Sequence, residues 1–367
     1  ERKKMKKVWA YIKKNPLSLL LIALPLALLA ELLHWGALWV FIFSALGVVP
    51  MASYIGSATE ALAHYTGPKI GGLLNATLGN AAELIITLVA IKAGLLELVK
   101  ASITGSIIGN LLLVMGLSMV IGGARHGLQS FDRRQSTNHA ILLTLAILAL
   151  AIPSFFNHFI AEYSPEVEGL SLGVSVVMIL LYGLGILYSL KFNNSPMTHT
   201  PPVDHGKNHV KPEYTIWQAV LVLALATAGV VWLSELLVGA VEVVVADLGL
   251  SEFFLGIILI PIIGNVAEHL VAVQVAARNH MDLSVEIAVS SSLQIALFVA
   301  PLLVFISLMM GNPLTLVFNP FELVALGAAV VITALVCFDG ESNWLEGAAL
   351  LSIYLILGLA FFMMPVG

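Results

Sequence analysis

Five long stretches of this chain carry no charged side chain, and they restrict its fold more than any other feature. They cover residues 101–124, 135–161, 169–190, 287–321 and 347–367. Each exceeds the roughly 20 residues that a helix needs to cross the hydrocarbon core of a bilayer. The chain as a whole is 59% hydrophobic and 11% charged, with a mean hydropathy of +0.98. These values predict an integral membrane protein, and the absence of alternating strand-length segments favours helices over a barrel.

Apolar runs separated by polar breaks predict eleven transmembrane helices. Their approximate limits are 16–33, 36–64, 70–92, 97–122, 137–157, 168–191, 214–246, 251–277, 283–309, 321–337 and 344–365. With this count, fifteen Lys and Arg fall on the same side as the N-terminus, and only Lys92 and Lys100 fall opposite. Such an asymmetry predicts a cytoplasmic N-terminus. No small-residue cleavage site follows the first apolar segment, which predicts a retained span, and the absence of appended domains favours a prokaryotic plasma membrane.

Two copies of one short polar motif lie inside apolar segments. Gly79-Asn80-Ala81-Ala82-Glu83 and Gly264-Asn265-Val266-Ala267-Glu268 superpose when one half of the chain is shifted by 185 positions. The shift predicts an extra first helix followed by two five-helix repeats. Because five is odd, the repeats have opposite orientation, which is a common plan of transporters. The predicted units are 1–35 (basic N-terminus and extra helix), 36–192 (first repeat), 193–213 (cytoplasmic linker) and 214–367 (second repeat).

The two polar motifs contain the residue types of a cation-binding site. An ionisable residue at the middle of a membrane is a functional candidate by default, and Glu83 and Glu268 each lie about halfway along a predicted helix. Asn80 and Asn265 lie three residues earlier and share their faces. Gly79 and Gly264 precede them and predict helix breaks that free backbone carbonyl groups. The candidate metal ligands are therefore Glu83, Glu268, Asn80 and Asn265, supplemented by hydroxyl and amide oxygens of Ser106, Ser291 and Gln294. Hard cations such as Ca²⁺ take roughly 6 to 8 oxygen ligands.

Two carboxylates in a poor dielectric also favour protonation when no cation is present. Competition between protons and a cation for the same oxygens, with access from one side at a time, is sufficient for antiport. Without a phosphate-binding loop, an ion gradient is the expected energy source. Glu60, Glu235 and Glu242 are candidate gating or proton-linked groups, and His269 is a candidate pH-sensitive partner for one of them. Interface charges and a satisfied core histidine are the alternative interpretations.

The motifs resemble those of the cation/proton exchangers of the calcium/cation antiporter superfamily. The stretch from Gly71 to Glu83 is similar to the first repeat motif of that family, and the stretch from Gly264 to His269 to the second. The resemblance covers nearly the whole chain and implies Ca²⁺/H⁺ exchange around Glu83 and Glu268. It implies Ca²⁺ and H⁺ as transported ions, the lipid bilayer as surroundings and no cofactor. Ser290 replaces a Gly of the family pattern.

Three other functions and the oligomeric state remain open at this point. A Na⁺/Ca²⁺ exchanger would also use oxygen ligands, whereas a Ca²⁺ channel would conduct without a counter-ion. An intramembrane hydrolase is disfavoured because no His-Glu-x-x-His or Gly-x-Ser-x-Gly element occurs. The single Cys337 excludes an internal disulfide and a thiolate cluster. A homo-oligomer is compatible with the sequence. The three histidines of the linker are expected to be solvated.

Overall fold

The computed structural model describes residues 15–157, 165–191 and 212–364, and these segments are mostly helical. The helices are α1 (Pro16–Leu32), α2 (Ala37–Leu78), α3 (Ala81–Lys92), α4 (Leu96–His126), α5 (Arg133–Asn157), α6 (Pro165–Lys191), α7 (Ile216–Leu248), α8 (Glu252–Ala276), α9 (Met281–Met309), α10 (Pro320–Val336) and α11 (Trp344–Phe362). Two short strands, β1 (Gln129–Ser130) and β2 (Glu341–Ser342), pair antiparallel.

Eight helical segments in the described residues are long and apolar enough to cross a membrane. They are 37–67 of α2 together with α4, α5, α6, α7, α8, α9 and α11. Helices α1 and α10 are apolar but shorter. The chain is therefore a multi-pass helical membrane protein, in agreement with its predicted class. The predicted linker and its histidines, His199, His205 and His209, lie outside the described residues.

The second predicted helix ends close to its predicted limit. Helix α2 consists of two helical segments joined at Gly67, where φ is +80° and the backbone is not helical, so the predicted end near residue 64 lies three residues before this kink. Glycine tolerates this left-handed value without the strain that a Cβ would impose. The helix predicted over 70–92 is interrupted at Gly79 and Asn80, as the glycine of the motif predicts, and α3 starts at Ala81.

Local sequence signals explain several of the other helix starts. Thr215, Asn319 and Asn343 each form a capping box with the residue three positions later, at the starts of α7, α10 and α11. In such a box two otherwise unpaired backbone N–H groups are satisfied by side chains. The described interiors of α4 and α9 contain π-helical turns at Gly109–Val114 and Ile295–Val299.

Helices α3, α4, α8 and α9 pack together at the centre of the molecule. Helix α2 packs along α7, with α1 against α2. The α4 and α8 backbones approach closely, because a Cβ added at Gly105 would overlap the carbonyl oxygen of Ile257. The outer faces of α5, α6, α7 and α11 expose large apolar side chains, as expected for helices in contact with lipid. The core thus surrounds α3 and α8, which carry the two motifs, together with α4 and α9.

Candidate functional site

The two polar motifs meet at the centre of the helical bundle. A Cβ added at Gly79 would lie 3.5 Å from Glu268 Oε1, and one added at Gly264 would lie 3.8 Å from the Glu83 Cα and Cβ atoms. Each glycine therefore lies against the acid of the other motif. The two carboxylates are close enough to repel each other electrostatically. Residues 185 positions apart in sequence are thus brought into one site.

The break between α2 and α3 places the first acid. Asn80 occupies the position before α3, and Glu83 lies in the first turn of that helix. Around the break, the Gly79 N–H group donates to the Asn75 carbonyl oxygen and the Leu84 N–H group donates to that of Asn80, both at 2.9 Å. Glu268 is placed differently, because α8 runs through Gly264 and Asn265 without a break.

Two serines hold the acids in the same way. Ser106 Oγ of α4 donates a hydrogen bond to Glu83 Oε1, and Ser291 Oγ of α9 donates to Glu268 Oε2 at 3.0 Å. Each serine follows its acid by 23 residues. The same side-chain pair is therefore formed once in each half of the chain.

The asparagines connect the halves. Asn265 Nδ2 donates to Ser106 Oγ at 3.2 Å, and Ser291 Oγ lies 3.3 Å from Asn80 Oδ1. Asn80 Nδ2 also donates to Gln294 Oε1 at 2.8 Å. Each asparagine contacts the serine of the other half. The seven ligand candidates predicted from the sequence therefore form two hydrogen-bonded groups, Glu83–Ser106–Asn265 and Glu268–Ser291–Asn80–Gln294, which meet where the two acids approach each other. These two groups together are called the central network.

The donor set suits a hard divalent cation. Glu83 is 2% exposed, and its Oε2 atom has no hydrogen-bond partner among the described residues, so it is available to an ion. Within the described segments no three His, Cys, Asp or Glu side chains converge as a metal centre. Two carboxylates among neutral oxygens therefore form the candidate site, and such ligands match Ca²⁺ better than Zn²⁺ or Cu²⁺.

Access to the two acids differs. Glu83 is almost fully buried, whereas Glu268 is partly exposed.

His269 contacts a partner that the sequence did not suggest. Its Nε2 lies 3.1 Å from Asn110 Oδ1, and both side chains are buried. The expectation that His269 pairs with Glu60, Glu235 or Glu242 is thus replaced by a contact with α4. The π-helical turn that starts at Gly109 includes Asn110 and sets its direction.

The three carboxylates predicted as gating or proton-linked groups lie away from the centre of the bundle. Glu60, Glu235 and Glu242 are all exposed. Glu235 forms an ion pair with Lys92, with 3.5 Å between Oε1 and Nζ. Glu242 lies near Glu252. None of the three contacts the central network in this conformation.

Helix α4 makes a second polar contact that its sequence did not predict. Thr104 Oγ1 donates to Glu322 Oε1 at 3.0 Å, and Lys100 Nζ donates to the Val317 carbonyl oxygen at 2.9 Å. Both contacts attach α4 to the start of α10. The capping-box spacing of Asn319 and Glu322 is the signal that would have placed Glu322 at a helix start.

Comparison with known proteins places the chain in a family. A family model described as "Sodium/calcium exchanger protein" matches residues 36–191 and 218–363. The chain is 45% identical to a Ca²⁺/H⁺ antiporter of Aphanothece halophytica, with 95% of this chain and 96% of that protein aligned. It is 42% identical to the Ca²⁺/H⁺ antiporter ChaA of Bacillus subtilis, with 95% and 100% aligned.

Two solved structures of exchangers are similar to the chain over most of its length. The Ca²⁺/H⁺ antiporter protein YfkE superposes with a TM-score of 0.81 and 39% identity over 94% of this chain and 98% of that chain. An H⁺/Ca²⁺ exchanger, CAX, shares the fold, with a TM-score of 0.71 and 17% identity over 95% and 92% of the two chains. The chain therefore belongs to the sodium/calcium exchanger protein family, and its relatives confirm the resemblance to Ca²⁺/H⁺ antiporters that its motifs display.

Proposed function

We propose that this protein exports Ca²⁺ across a cell membrane in exchange for H⁺, by alternating access to the site around Glu83 and Glu268. The observation that carries the proposal is the doubled acid–serine–asparagine contact, in which each half of the chain supplies one carboxylate to a shared centre. Two carboxylates balance the charge of one divalent ion. The same oxygens bind protons when the ion leaves, so the two cargoes exclude each other.

Two inverted five-helix repeats, preceded by one extra helix, form the proposed architecture of eleven spans. The equivalent contacts of Ser106 and Ser291 support it, and so do the π-helical turns Gly109–Val114 and Ile295–Val299, which nearly superpose at the offset of 185. In this architecture the proposed units are 1–35, 36–192, 193–213 and 214–367. Repeats related in this way place a substrate site near the membrane midplane, where they meet.

Alternating access is proposed to come from α2 and α7, which pack along each other outside the four central helices. Glu60, Glu235 and Glu242 lie on these two helices and are proposed to act at the entrances of the site, not as ligands. The unequal exposure of Glu83 and Glu268 fits a conformation that is open on one side. The proposed location is the plasma membrane, with the N-terminus in the cytoplasm because of the charge asymmetry.

A flux measurement with independent gradients tests the exchange. The purified protein is reconstituted into vesicles, and Ca²⁺ uptake is followed after a pH gradient is imposed without Na⁺. We expect uptake that requires the pH gradient, and an apparent KM for Ca²⁺ that rises as the medium on the loading side is acidified, since protons compete for the same carboxylates. Uptake that needs a Na⁺ gradient would favour the Na⁺/Ca²⁺ exchanger. Current without a counter-ion would indicate a channel.

Charge removal at the two acids tests the site. Glu83→Gln and Glu268→Gln keep the side-chain shape and an oxygen that accepts the serine hydrogen bond, but each removes one negative charge. We expect each variant to fold and to lose pH-driven Ca²⁺ uptake. Glu346→Gln is the control, because Gln can replace Glu at the third position of the α11 capping box. Full transport by both site variants would remove these carboxylates from the mechanism.

A further inference from the structure

The two helices that carry the acids end in equivalent turns. At the end of α3 the Gly94 N–H group donates to the Ile91 carbonyl oxygen at 3.0 Å. At the end of α8 the Asn279 N–H group donates to the Ala276 carbonyl oxygen, also at 3.0 Å. Gly94 and Asn279 have φ values of +82° and +68°, the left-handed conformation that commonly ends a helix. Each residue of one turn lies 185 positions from its counterpart, which is the offset of the two motifs.

Each of these carbonyl groups also accepts a hydrogen bond from a side-chain amide of the other half of the chain. Asn312 Nδ2, in the connection between α9 and α10, donates to the Ile91 carbonyl oxygen at 2.9 Å. Gln129 Nε2, in the connection between α4 and α5, donates to the Ala276 carbonyl oxygen at 3.1 Å. A carbonyl oxygen has two lone pairs, so the turn and the amide together satisfy it. We call these contacts the first end contact (Asn312 with Ile91) and the second end contact (Gln129 with Ala276).

The two end contacts lie at opposite ends of the bundle. Helix α4 starts beside the first, where Lys100 Nζ donates to the carbonyl oxygen of Val317 in the connection that contains Asn312. It ends beside the second, where His126 Nε2 lies 3.0 Å from the Ala277 carbonyl oxygen. Helix α4 has 31 residues and is therefore about 46 Å long at the usual rise. Each half of the chain thus holds the acid-bearing helix of the other half at one end of the molecule.

Both end contacts lie at the same helical distance from an acid. Glu83 lies eight residues before Ile91, and Glu268 lies eight residues before Ala276, which is about 12 Å along each helix axis. Helix α3 has only 12 residues and is separated from α2 by the break at Asn80. Its depth in the bundle is therefore not set by a continuous helix before it, and the contact at its end has a direct effect on the position of its acid.

The second end contact is buried and has an additional hydrogen bond. Gln129 is 3% exposed, and its Nε2 atom also donates to Asn279 Oδ1 at 2.9 Å. The amide lies against α4, because a Cβ added at Gly122 would overlap Gln129 Oε1. The absence of a side chain at Gly122 therefore makes room for this amide between α4 and the end of α8.

We propose that Asn312 and Gln129 are positioning residues of the cation site. Asn312 fixes the depth of α3 and hence of Glu83, and Gln129 fixes the depth of α8 and hence of Glu268. The inference rests on the proposed binding of Ca²⁺ by these two acids. The observation that carries it is the amide of each half on the last turn of the acid-bearing helix of the other half, a contact formed twice with the same spacing.

The two amides should act on Ca²⁺ through different serines. Ser106 donates to Glu83, and Ser291 donates to Glu268. A shift of α3 along its axis weakens the first of these hydrogen bonds, and a shift of α8 weakens the second. Two changes that act on one interaction are not additive when they are combined, whereas changes at independent sites are.

Calorimetric titration of Ca²⁺ into the purified protein in detergent tests this pairing. Gln129→Met and Asn312→Leu remove each amide at similar size, and each is measured alone and with Ser106→Ala or Ser291→Ala. We expect each amide variant alone to weaken Ca²⁺ binding about two- to twelvefold, the range for one neutral hydrogen bond. Gln129→Met with Ser291→Ala, and Asn312→Leu with Ser106→Ala, should fall short of the product of their single effects by at least about twofold. The two crossed combinations should match that product.

Gln274→Met on α8 and Asn138→Leu on α5 are the controls, because they make the same changes at exposed positions. Both should bind Ca²⁺ like the wild type. Thermal unfolding establishes which variants are folded, and Gln129→Asn, whose amide is one methylene too short to reach α8, or Asn312→Ala replaces one that is not.

The pattern of the four combinations decides the outcome. Simple products in all four, or equal coupling of each amide to both serines, would overturn the proposal, since a general loosening of the fold gives those results. Uptake of Ca²⁺ driven by a pH gradient is measured on the same wild-type protein. If the protein binds Ca²⁺ but does not exchange it for H⁺, the proposed function fails, and the binding data still judge the two end contacts.

Discussion

Replacing Ser106 by Ala should weaken Ca²⁺ binding strongly, and the contacts of this hydroxyl set the expected size of the effect. Ser106 Oγ donates to the Glu83 carboxylate and accepts from Asn265 Nδ2 at 3.2 Å. A hydrogen bond to a charged group contributes about 1.5–3 kcal/mol, and each 1.4 kcal/mol corresponds to a factor of ten in affinity. If the loss appears fully in ion binding, the apparent affinity for Ca²⁺ falls about 10- to 100-fold.

Helix α4 offers a matched control for this change. Ser102 lies one turn before Ser106 and is equally buried, with 1% of its surface exposed, but its hydroxyl has no hydrogen-bond partner among the described residues. Ser102→Ala therefore makes the same chemical change without the loss of a contact to the site. We expect it to transport Ca²⁺ like the wild type.

The assay is pH-driven Ca²⁺ uptake in reconstituted vesicles at a series of Ca²⁺ concentrations, with thermal unfolding in detergent measured in parallel. Ser106→Ala should raise the apparent KM, and the equivalent Ser291→Ala, which removes the 3.0 Å bond to Glu268 Oε2, should do the same. The reasoning fails if Ser106→Ala and Ser102→Ala have the same KM, or if the rise in KM follows a general loss of folded protein.

Two further predictions concern packing and surface charge. Gly105→Ala should destabilise the protein by about 1–3 kcal/mol, because the added Cβ would overlap the Ile257 carbonyl oxygen. The control is Gly109→Ala, whose added Cβ has nothing within 4 Å, and it should not destabilise the protein in this way. Equal unfolding temperatures of the two variants would contradict the close approach of α4 and α8. Lys92→Met should change stability by less than about 1 kcal/mol, since its ion pair with Glu235 is exposed. A Glu235→Gln variant that alters the transport rate while Lys92→Met does not would support Glu235 as a gating residue, and identical rates would count against it.

The sequence alone determined the class of the protein and the identity of its central acids. Hydropathy is a local property, so uncharged runs such as 287–321 predict helical spans without knowledge of their neighbours. The repeated motif can likewise be recognised in the sequence without a structure, and it identified Glu83, Glu268 and their asparagines. Capping signals such as Asn319 with Glu322 are also local and mark where helices start.

Only the tertiary structure decided how these residues are connected. The glycine of each motif predicted a helix break, but the break occurs only at Gly79 and Asn80, whereas the same motif at Gly264 remains helical. The partner of His269 is Asn110, 159 residues away in sequence. Such contacts depend on the packing of whole helices against one another, which periodicity within one segment does not specify.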